Sequence, residues 1–466
     1  MIALSLEDIA RAVGADSPLP SSALGGVTVR RVVTDSRKVA EGDLFVALDG
    51  ERFQGSDHVP EALEAGAAAA ISPRLPTRGW NAAMSDRVLR VADAREAFLE
   101  LGRLLRQRSR ARFAAITGTN GKTTTKDMLA GLLAEYRSVV GAQASFNNAV
   151  GLPLTLCRVE AETESVVLEV GTSAVGEVAR LASVASPHVG IITSIGPGHL
   201  EGLGSVAAVL AEKLSLAEHL RGGGVLLLNA DDPRLADARP TTRSDVEVRR
   251  FGVGAKCDVR AWEPEVGVNG VSFRMSRRGP RVAAPFLGRH NLSNLLAAAS
   301  AARILGLEEE EIAQAALSLR ATPLRMERRR VDGLDVIFDC YNANPASMRA
   351  ALDVFRVLPA RGRRFLALGD MLELGATETE HHEALGRALA DGVADRVHLV
   401  GTAMRAAYRS ALDAGFPRSR IALHADRSNL GKALMGEMRP GDLLLIKGSR
   451  GMALEHLFQD AAENEA

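Results

Sequence analysis

Lysine is scarce in this sequence of 466 residues, because only seven of its 57 basic side chains are lysine and the others are arginine. The 57 acidic side chains balance the basic ones, so the formal net charge is zero. This balance argues against a net basic surface, which nucleic acids and anionic membranes need. A lysine in such an arginine-rich chain predicts a position that needs a compact amine able to lose its proton.

Cysteines and long apolar runs are also few. The three cysteines, Cys157, Cys257 and Cys340, share no metal-like spacing and cannot all pair, which excludes a disulfide framework and favours a reducing compartment. No apolar run reaches the ~18 residues that a membrane-spanning helix needs. The first residues carry Glu7 and Asp8 in an amphipathic helical pattern and lack the basic start of a signal peptide. We therefore expect a cytoplasmic protein that binds neither nucleic acid nor membrane.

Apolar strand-like runs alternate with helical patterns almost throughout, which predicts an α/β fold with parallel sheets and crossover helices. The length predicts about three domains. We place them at residues 1–93, 94–320 and 321–466, with a joining helix at Ala94–Arg108 and Pro323 in the second linker. The central domain is predicted as a parallel-sheet ATPase domain with a phosphate-binding loop, and the third as a Rossmann-like doubly wound sheet.

The individual elements follow from the same patterns. Strands are predicted at Arg31–Thr34, Asp43–Leu48, Arg87–Val91, Phe113–Thr117, Ser165–Val170, Val189–Ile195, Val225–Asn229, Asp335–Phe338, Arg364–Leu368, Arg396–Val400, Arg420–Leu423 and Leu443–Ile446. Further helices are predicted at His58–Gly66, Asn291–Leu305 and Glu309–Ser318. Between residues 246 and 285, short strands with Gly and Asn turns predict an antiparallel insertion.

The segment TGTNGKTTT follows a predicted strand and opens a predicted helix, which is the context of a phosphate-binding loop. Gly118 and Gly121 let backbone N–H groups point at phosphate oxygens, Lys122 supplies a point charge, and the Thr123 hydroxyl can hold Mg²⁺. The alternative is a glycine turn with an incidental lysine. The strand–helix context and the scarcity of lysine favour nucleotide binding.

Glu169 and His199 each follow a predicted strand, at the edge where open α/β sheets bind ligands. Alone, such a glutamate is usually solvated and such a histidine usually satisfies a loop, but beside a phosphate-binding loop the two can hold Mg²⁺. Lys213 lies in an amphipathic helical pattern, where a surface lysine is the simpler interpretation. The alternative is a neutral amine that takes up CO₂ as a carbamate and becomes an anionic metal ligand, which arginine cannot do.

Polar residues near two further helix starts predict nucleotide contacts. In GRHNLSN, Asn291 suits a helix cap, and Asn294, one turn later, can reach a purine edge. Asp339 ends a strand before YNANP and can accept hydrogen bonds from ribose hydroxyls, although a cap or a turn is the alternative. Lys447 in KGSRG follows another strand and suits an anion site.

Together these motifs resemble the Mur ligase family over nearly the whole chain. TGTNGKTTT, the strand that ends at Glu169, His199 with Lys213 downstream, and GRHNLSN resemble the family in general. FNNAVGLPLTL, HLEGLGS, YNANP, LGDMLELG and KGSRGM resemble the member that joins D-alanyl-D-alanine to UDP-N-acetylmuramoyl-tripeptide. The resemblance implies a monomeric, ATP- and Mg²⁺-dependent amide ligase that works through an acyl phosphate, in the last cytoplasmic step of peptidoglycan precursor peptide assembly.

The resemblance also implies roles for individual residues. The ATP phosphates are expected at Gly118, Thr119, Asn120, Gly121, Lys122, Thr123 and Thr124, the adenine near Asn291 and Asn294, and the ribose near Asp339. Mg²⁺ is expected near Thr123, Glu169, His199 and a carbamylated Lys213, and catalysis is expected to depend on Lys122, Lys213 and His199. In the N-terminal domain, the UDP end of the precursor is expected at Ser36, Arg37, Phe45 and residues 50–53. The muramoyl-peptide is expected along Asn147 and Asn148.

Two other functions compete with this one. A folylpolyglutamate synthase of the same superfamily would lack the N-terminal TDSR…GDLFVAL segment and YNANP, and both are present here. A regulatory protein that hydrolyses ATP without ligation is the other class, and the intact Lys122, Glu169, His199 and Lys213 count against it.

Overall fold

The structure is a computed structural model that describes residues 1–16, 26–50, 53–75, 82–331 and 333–458. Five β-sheets lie within these residues, and three of them are the main sheets of successive parts of the chain. No helix in the described ranges is both long and apolar enough to cross a membrane. The predicted α/β class with parallel sheets is confirmed.

The N-terminal part contains a short antiparallel pair and a four-stranded parallel sheet in the order β3-β4-β5-β6. Its strands are β1 Leu4–Ser5, β2 Thr28–Val29, β3 Val32–Val33, β4 Leu44–Val46, β5 Ala69–Ser72 and β6 Val88–Arg90. Its helices are Leu6–Ala12, Val59–Glu64 and Ala82–Ser85. The predictions missed β5, because its alanine-rich sequence does not have the β-branched composition of a typical strand.

The helix Ala94–Arg108 connects the first two sheets and has the predicted bounds. It begins after Asp93, whose carboxylate accepts hydrogen bonds from the first-turn N–H groups. Phe98, Leu101 and Leu105 recur at helical spacing and are buried in one core that both sheets share. The N-terminal and central parts are therefore packed around a common apolar cluster.

The central part is built on a seven-stranded parallel sheet in the order β13-β12-β11-β10-β7-β9-β8. Its strands are β7 Arg112–Thr117, β8 Val139–Gly141, β9 Ser165–Glu169, β10 Val189–Ile192, β11 Val225–Asn229, β12 Glu247–Gly252 and β13 Val259–Arg260. A three-stranded antiparallel sheet follows, made of β14 Trp262–Gly267, β15 Gly270–Arg274 and β16 Arg281–Ala284. Its helices are Lys122–Ala134, Gly151–Leu156, Glu177–Ala185, Leu200–Leu203, Val206–Leu214, Pro233–Ala236, Arg289–Ile304 and Glu309–Ala316.

The antiparallel insertion predicted for residues 246–285 is wrong for its first half. β12 and β13 extend the parallel sheet, and only β14–β16 form an antiparallel sheet. A strand at the edge of a parallel sheet is partly exposed, so its mixture of charged and apolar residues resembles that of an antiparallel strand.

The C-terminal part is a six-stranded sheet in the order β17-β18-β22-β19-β20-β21. The strands are β17 Glu327–Val331, β18 Leu334–Asp339, β19 Arg364–Gly369, β20 Arg396–Val400, β21 Ile421–His424 and β22 Leu443–Lys447. All neighbours are parallel except β17 and β18, and β17 was not predicted because its sequence is almost entirely charged. The helices are Pro345–Val357, Glu378–Leu389, Met404–Asp413 and Arg427–Glu437.

Candidate active site

The phosphate-binding loop lies between β7 and the helix Lys122–Ala134. Gly118 and Gly121 have φ angles of +146° and +84°, which side chains disfavour. A Cβ at Gly118 would also come within 2.0 Å of Thr193 Oγ1. The sequence TGTNGK can therefore adopt this tight turn only with glycine at both positions.

The phosphate-binding loop is open to a ligand at the end where it leads into the helix. Thr119 N and Asn120 N donate to Ser194, at 2.8 Å to the carbonyl oxygen and 3.0 Å to Oγ, and these bonds tie the loop to the segment after β10. The first N–H groups of the helix that begins at Lys122 have no acceptor within the helix, so they are available to an anion. Lys122 Nζ lies back over the loop, 2.8 Å from the carbonyl oxygen of Gly118.

A hydroxyl and a carboxylate meet beside this loop. Glu169, at the end of β9, is 1% exposed, and its Oε2 accepts a hydrogen bond from Thr123 Oγ1 at 2.7 Å. Its Oε1 accepts from Asn147 Nδ2 at 2.8 Å. Burial lowers the pKa of Lys122, and the charge of Glu169 opposes that shift. Oxygen donors of this kind are those that Mg²⁺ prefers.

Arg325 belongs to this site, although the sequence indicated it only as part of a linker. Its Nη2 donates to Thr123 Oγ1 at 2.9 Å, and its guanidinium lies 4.3 Å from the centroid of the Tyr341 ring. The hydroxyl of Tyr341 is hydrogen-bonded to Ser145 Oγ of the central part. Nothing local distinguishes Arg325 from the many other arginines, so it could not be identified before the fold was known.

His199 is placed beside the loop by an unusual backbone. It precedes the short helix Leu200–Leu203 with a φ of +55°, and its Nδ1 lies 2.9 Å from Glu373 Oε2 of the C-terminal part. Burial and then the charge of Lys122 lower the pKa of His199, while Glu373 raises it. Within the described ranges, no three histidine, cysteine or carboxylate side chains converge as a metal site on their own.

Three of the seven lysines are buried, and they differ in whether oxygen atoms surround the amine. Lys126 Nζ contacts the carbonyl oxygens of Ala142 and Ala144 and Asp127 Oδ1, at 2.6, 3.0 and 2.7 Å. Lys213 is 1% exposed, and its Nζ forms no hydrogen bond with any described residue.

Burial is the largest cause that lowers the pKa of Lys213, to about 7, and the charge of Lys122 adds to it. A buried lysine with three oxygen acceptors is stable as an ammonium ion. Lys213 lacks such acceptors among the described residues, so burial disfavours its charged form. The surface lysine considered from the sequence is thus wrong for this residue, since it is fully buried.

The two asparagines of GRHNLSN are buried close to the loop. The helix begins after Gly288, so Asn291 does not cap it, and its Nδ2 donates to the carbonyl oxygen of Leu287 at 2.9 Å. Asn294 Nδ2 donates to Asn291 Oδ1 at 3.0 Å. A Cβ at Gly121 would lie 2.4 Å from Asn294 Oδ1, which shows how closely this helix approaches the loop.

Asp339 is held by Lys447, its neighbour across β18 and β22. Lys447 Nζ donates to Asp339 Oδ2 at 2.7 Å and also approaches the carbonyl oxygens of Asp339 and Asn342. Lys447 is 1% exposed, and it lines the same cavity as Asp339. Asp339 is not a helix cap either, because Asn344 caps the helix that begins at Pro345.

Most of the residues expected to bind ATP line one cavity of ≈ 380 Å³ between the central and C-terminal parts. Those of the predicted set are Thr119, Asn120, Gly121, Lys122, Thr123, Thr124, Asn147, Glu169, His199, Asn291, Asn294 and Asp339. Gly118 and Lys213 are not in the lining of this cavity, although the charges of Lys122 and Glu169 act on the pKa of Lys213. Arg325, Tyr341 and Asn344 line the same cavity and were not among the predicted site residues.

A second cavity of ≈ 230 Å³ adjoins the first and shares Lys122, Asn147 and His199 with it. Asn148 and Arg180 also line it. The two cavities therefore place one lysine between two binding spaces.

The residues expected to hold the UDP end lie elsewhere. Ser36 Oγ donates to Glu61 Oε2 at 3.0 Å, and Arg37 pairs with Asp35 on the surface. Phe45 is 2% exposed and packs in the N-terminal core, so its side chain is not placed to contact a ligand. Residues 51 and 52 of the expected 50–53 stretch lie outside the described residues, while Phe53 is 58% exposed.

The cavity at the C-terminal ends of strands in the central and C-terminal sheets, lined by the phosphate-binding loop, defines a nucleotide-dependent α/β enzyme. Three family models match the chain in order: "Mur ligase family, catalytic domain" over residues 28–105, "Mur ligase middle domain" over 116–302, and "Mur ligase, glutamate ligase domain" over 324–450. The chain belongs to the Mur ligase family.

Relatives and solved structures agree with this assignment. The UDP-N-acetylmuramoyl-tripeptide–D-alanyl-D-alanine ligase of Bacillus subtilis is 35% identical, with 94% of each chain covered. The ligase of the same name from Escherichia coli is 33% identical, covering 94% of this chain and 95% of the relative. A crystal structure of MurF from Acinetobacter baumannii matches with a TM-score of 0.87 and 28% identity over 99% of both chains. MurF from Thermotoga maritima in complex with ADP matches with a TM-score of 0.79 and 28% identity, covering 94% of this chain and 99% of that one.

Proposed function

We propose that this chain joins D-alanyl-D-alanine to UDP-N-acetylmuramoyl-tripeptide in a reaction driven by ATP. The observation that carries the proposal is the pair of adjoining cavities with Lys122 in the lining of both. One cavity has the phosphate-binding loop and the other has Asn147 and Asn148, so a triphosphate and a carboxylate can meet at one amine. The relatives named after this reaction cover nearly the whole chain.

The proposed chemistry has two steps. The terminal carboxylate of the tripeptide attacks the γ-phosphorus of ATP, which gives an acyl phosphate and releases ADP. The amine of D-alanyl-D-alanine then attacks the acyl carbon, and the tetrahedral intermediate loses phosphate and a proton to leave the amide. The enzyme needs no covalent nucleophile for either step.

The residues of the site act mainly through charge and position. A carboxylate and a triphosphate repel each other, and Lys122 and Arg325 neutralise that repulsion where the new bond forms. The helix N-terminus after Gly121 binds phosphate oxygens. Asn291 and Asn294 lie on the adenine side, and Asp339, fixed by Lys447, accepts from ribose hydroxyls.

The residues around Glu169 fit Mg²⁺. Thr123 Oγ1 and the buried carboxylate of Glu169 supply oxygen donors, and water with phosphate oxygens completes such a site in most nucleotide-dependent enzymes. We propose that His199 and a carbamate on Lys213 would also help to hold the ion. When bound, the ion would neutralise phosphate charge. Lys213 fits carbamate formation because its amine is buried, has a lowered pKa and forms no hydrogen bond with the described residues.

The chain divides near residues 93 and 320 in this proposal, so that the N-terminal domain holds the nucleotide sugar and the C-terminal domain closes over ATP. Closure would exclude water, which otherwise hydrolyses an acyl phosphate. We expect a monomer in the cytoplasm, where its three free cysteines stay reduced.

The test is phosphate release by the purified protein with ATP and Mg²⁺. Release is expected only when both UDP-N-acetylmuramoyl-tripeptide and D-alanyl-D-alanine are present, together with a product larger than the tripeptide precursor by one dipeptide in mass spectrometry. Turnover of ATP that is indifferent to the two substrates would contradict the proposal and favour a regulatory ATPase.

A further inference from the structure

His199 Nδ1 and Glu373 Oε2 lie 2.9 Å apart, within hydrogen-bonding distance, and this contact bridges the central and C-terminal parts. Both residues have left-handed backbones, with φ angles of +55° and +62°. Residues other than glycine rarely adopt this conformation, and they do so mainly where the surrounding structure imposes it. Two such residues in contact indicate a contact that the fold is built to make.

The segment that carries Glu373 is fixed on both sides. Met371 N donates to Nε2 of the buried His382 at 3.1 Å, and Leu372 N donates to Ser449 Oγ at 2.9 Å. Leu374 is 2% exposed and anchors the other side. The backbone of Glu373 is therefore held in place by buried groups, while its side chain remains 59% exposed and reaches across to His199.

The contact decides which nitrogen of His199 remains available to a ligand. An imidazole nitrogen that is hydrogen-bonded to a carboxylate carries the proton, so the other nitrogen keeps its lone pair. With Nδ1 taken by Glu373, the nitrogen that His199 can offer to a ligand is Nε2. A partly solvent-exposed contact of this kind contributes little to stability by itself, so its value lies in this orientation.

We propose that Glu373 is a positioning residue, which fixes His199 as the Nδ1–H tautomer and so presents Nε2 to the ATP cavity. The proposal deepens the proposed function and rests on it for the role of His199 toward Mg²⁺. Carboxylate–histidine pairs of this kind commonly change metal affinity or activity by about 10- to 100-fold. This gives the LGDMLELG motif a function through Glu373, its one glutamate.

The first arm of the test reads the tautomer directly, in protein without nucleotide or metal. Long-range ¹H–¹⁵N NMR distinguishes the two imidazole tautomers, and the His199 signals are assigned by their loss in His199→Asn. We expect Nδ1–H in the wild type and in Glu373→Gln, whose amide oxygen still accepts a hydrogen bond. Glu373→Ala should shift His199 toward Nε2–H. Glu201→Ala, which removes an exposed carboxylate two residues from His199, is the matched control and should leave the tautomer unchanged.

The second arm measures ligation against Mg²⁺ concentration. For Glu373→Ala we expect the half-saturating Mg²⁺ concentration to rise about 10- to 100-fold, with the KM for D-alanyl-D-alanine nearly unchanged. Glu373→Gln should restore most of the loss. A Glu373→Ala enzyme that matches Glu201→Ala in both arms would overturn the proposal. If the wild type shows no substrate-dependent ligation, the proposed function fails, and the tautomer arm still decides whether Glu373 positions His199.

Discussion

Asn120 of the phosphate-binding loop and Asn344 of the YNANP segment exchange two amide hydrogen bonds, with Nδ2–Oδ1 distances of 3.2 and 2.7 Å. The two side chains join the central part to the C-terminal part. Asn344 Oδ1 also accepts from Ser347 N at 2.9 Å and so caps the helix Pro345–Val357. One side chain therefore starts a helix and holds that helix against the loop.

The two roles of Asn344 can be separated by substitution. Asn344→Ser keeps a capping oxygen but is too short to reach Asn120, so we expect an unchanged melting temperature and a several-fold higher KM for ATP. Asn344→Ala should lose, in addition, about 1 kcal/mol of stability with the cap. Adding Asn120→Ala to Asn344→Ser should have little further effect on the KM for ATP, since the two substitutions remove the same contact. An unchanged KM for ATP in Asn344→Ser and in Asn344→Ala would refute a role of this contact in ATP binding.

Substitution of Lys213 tests the carbamate. Lys213→Ala should abolish ligation, and added short-chain carboxylates should restore part of it by supplying the missing anion. Lys213→Arg should stay inactive, because a guanidinium forms no carbamate at neutral pH. In the wild type, ¹³C NMR in labelled bicarbonate should reveal a carbamate signal that Lys213→Ala lacks. Lys432→Ala, at an exposed lysine, is the control, and activity of Lys213→Ala equal to that control would refute the carbamate.

The contact between Lys447 and Asp339 predicts a large loss of stability in Lys447→Met. The substitution leaves a mostly buried carboxylate without its cation, and breaking a buried pair in this way typically costs about 3–5 kcal/mol. Lys447→Met with Asp339→Leu should recover most of that loss, because no unpaired charge remains. Urea unfolding measures both variants, and Lys432→Met is the matched control at an exposed position. Equal stability of Lys447→Met and wild type would contradict the prediction.

From the surroundings of His398 we expect the free energy of unfolding to fall in weak acid. Burial, followed by the charge of His424, lowers the pKa of His398 to about 4, while Glu437 opposes the shift and Arg396 adds to it. The unfolded chain has a histidine pKa of about 6.5, so it binds more protons than the native state between pH 6.5 and 4. The contribution of His398 to the free energy of unfolding is therefore complete above pH ~6.5 and is lost as the pH falls toward 4. Its magnitude is on the order of 1–3 kcal/mol.

The measurement is urea unfolding between pH 7.5 and about 4.5. His398→Phe keeps an aromatic ring and should flatten part of the pH dependence. The remainder is expected from His188, whose pKa is also lowered to about 4 by burial and neighbouring arginines. Parallel stability curves for wild type and His398→Phe would show that His398 does not titrate between the two states.

The sequence predicted elements well where one local pattern dominates. The joining helix Ala94–Arg108 and the buried strands Val225–Asn229 and Arg396–Val400 have the predicted bounds, because a helical apolar stripe or a continuous apolar run leaves little choice. Prediction from the sequence failed at edge strands such as Glu327–Val331, which are strands because of their pairing and not because of their composition. The alanine-rich strand Ala69–Ser72 was missed because its composition, too, is not typical of a strand.

The candidate site divides along the same line. Glycines and a lysine after a strand predict a phosphate-binding loop, because that geometry is local. Arg325, Glu373 and Asn344 reach the site from the C-terminal part, and their partners are far away in sequence. Only the docking of one sheet against another brings them to the loop. Phe45 shows the converse, since its strand was predicted correctly but its core-facing side was not.

The lysines also bear on how this sequence can change over evolutionary time. Lys38, Lys256 and Lys432 are exposed, so replacement by arginine can remove them without loss. The ammonium groups of Lys126 and Lys447 each contact three oxygen atoms, Lys213 has a buried amine with a lowered pKa, and Lys122 lines both cavities. A guanidinium fits none of these four settings. We therefore expect replacement of lysine by arginine to stop at these four positions.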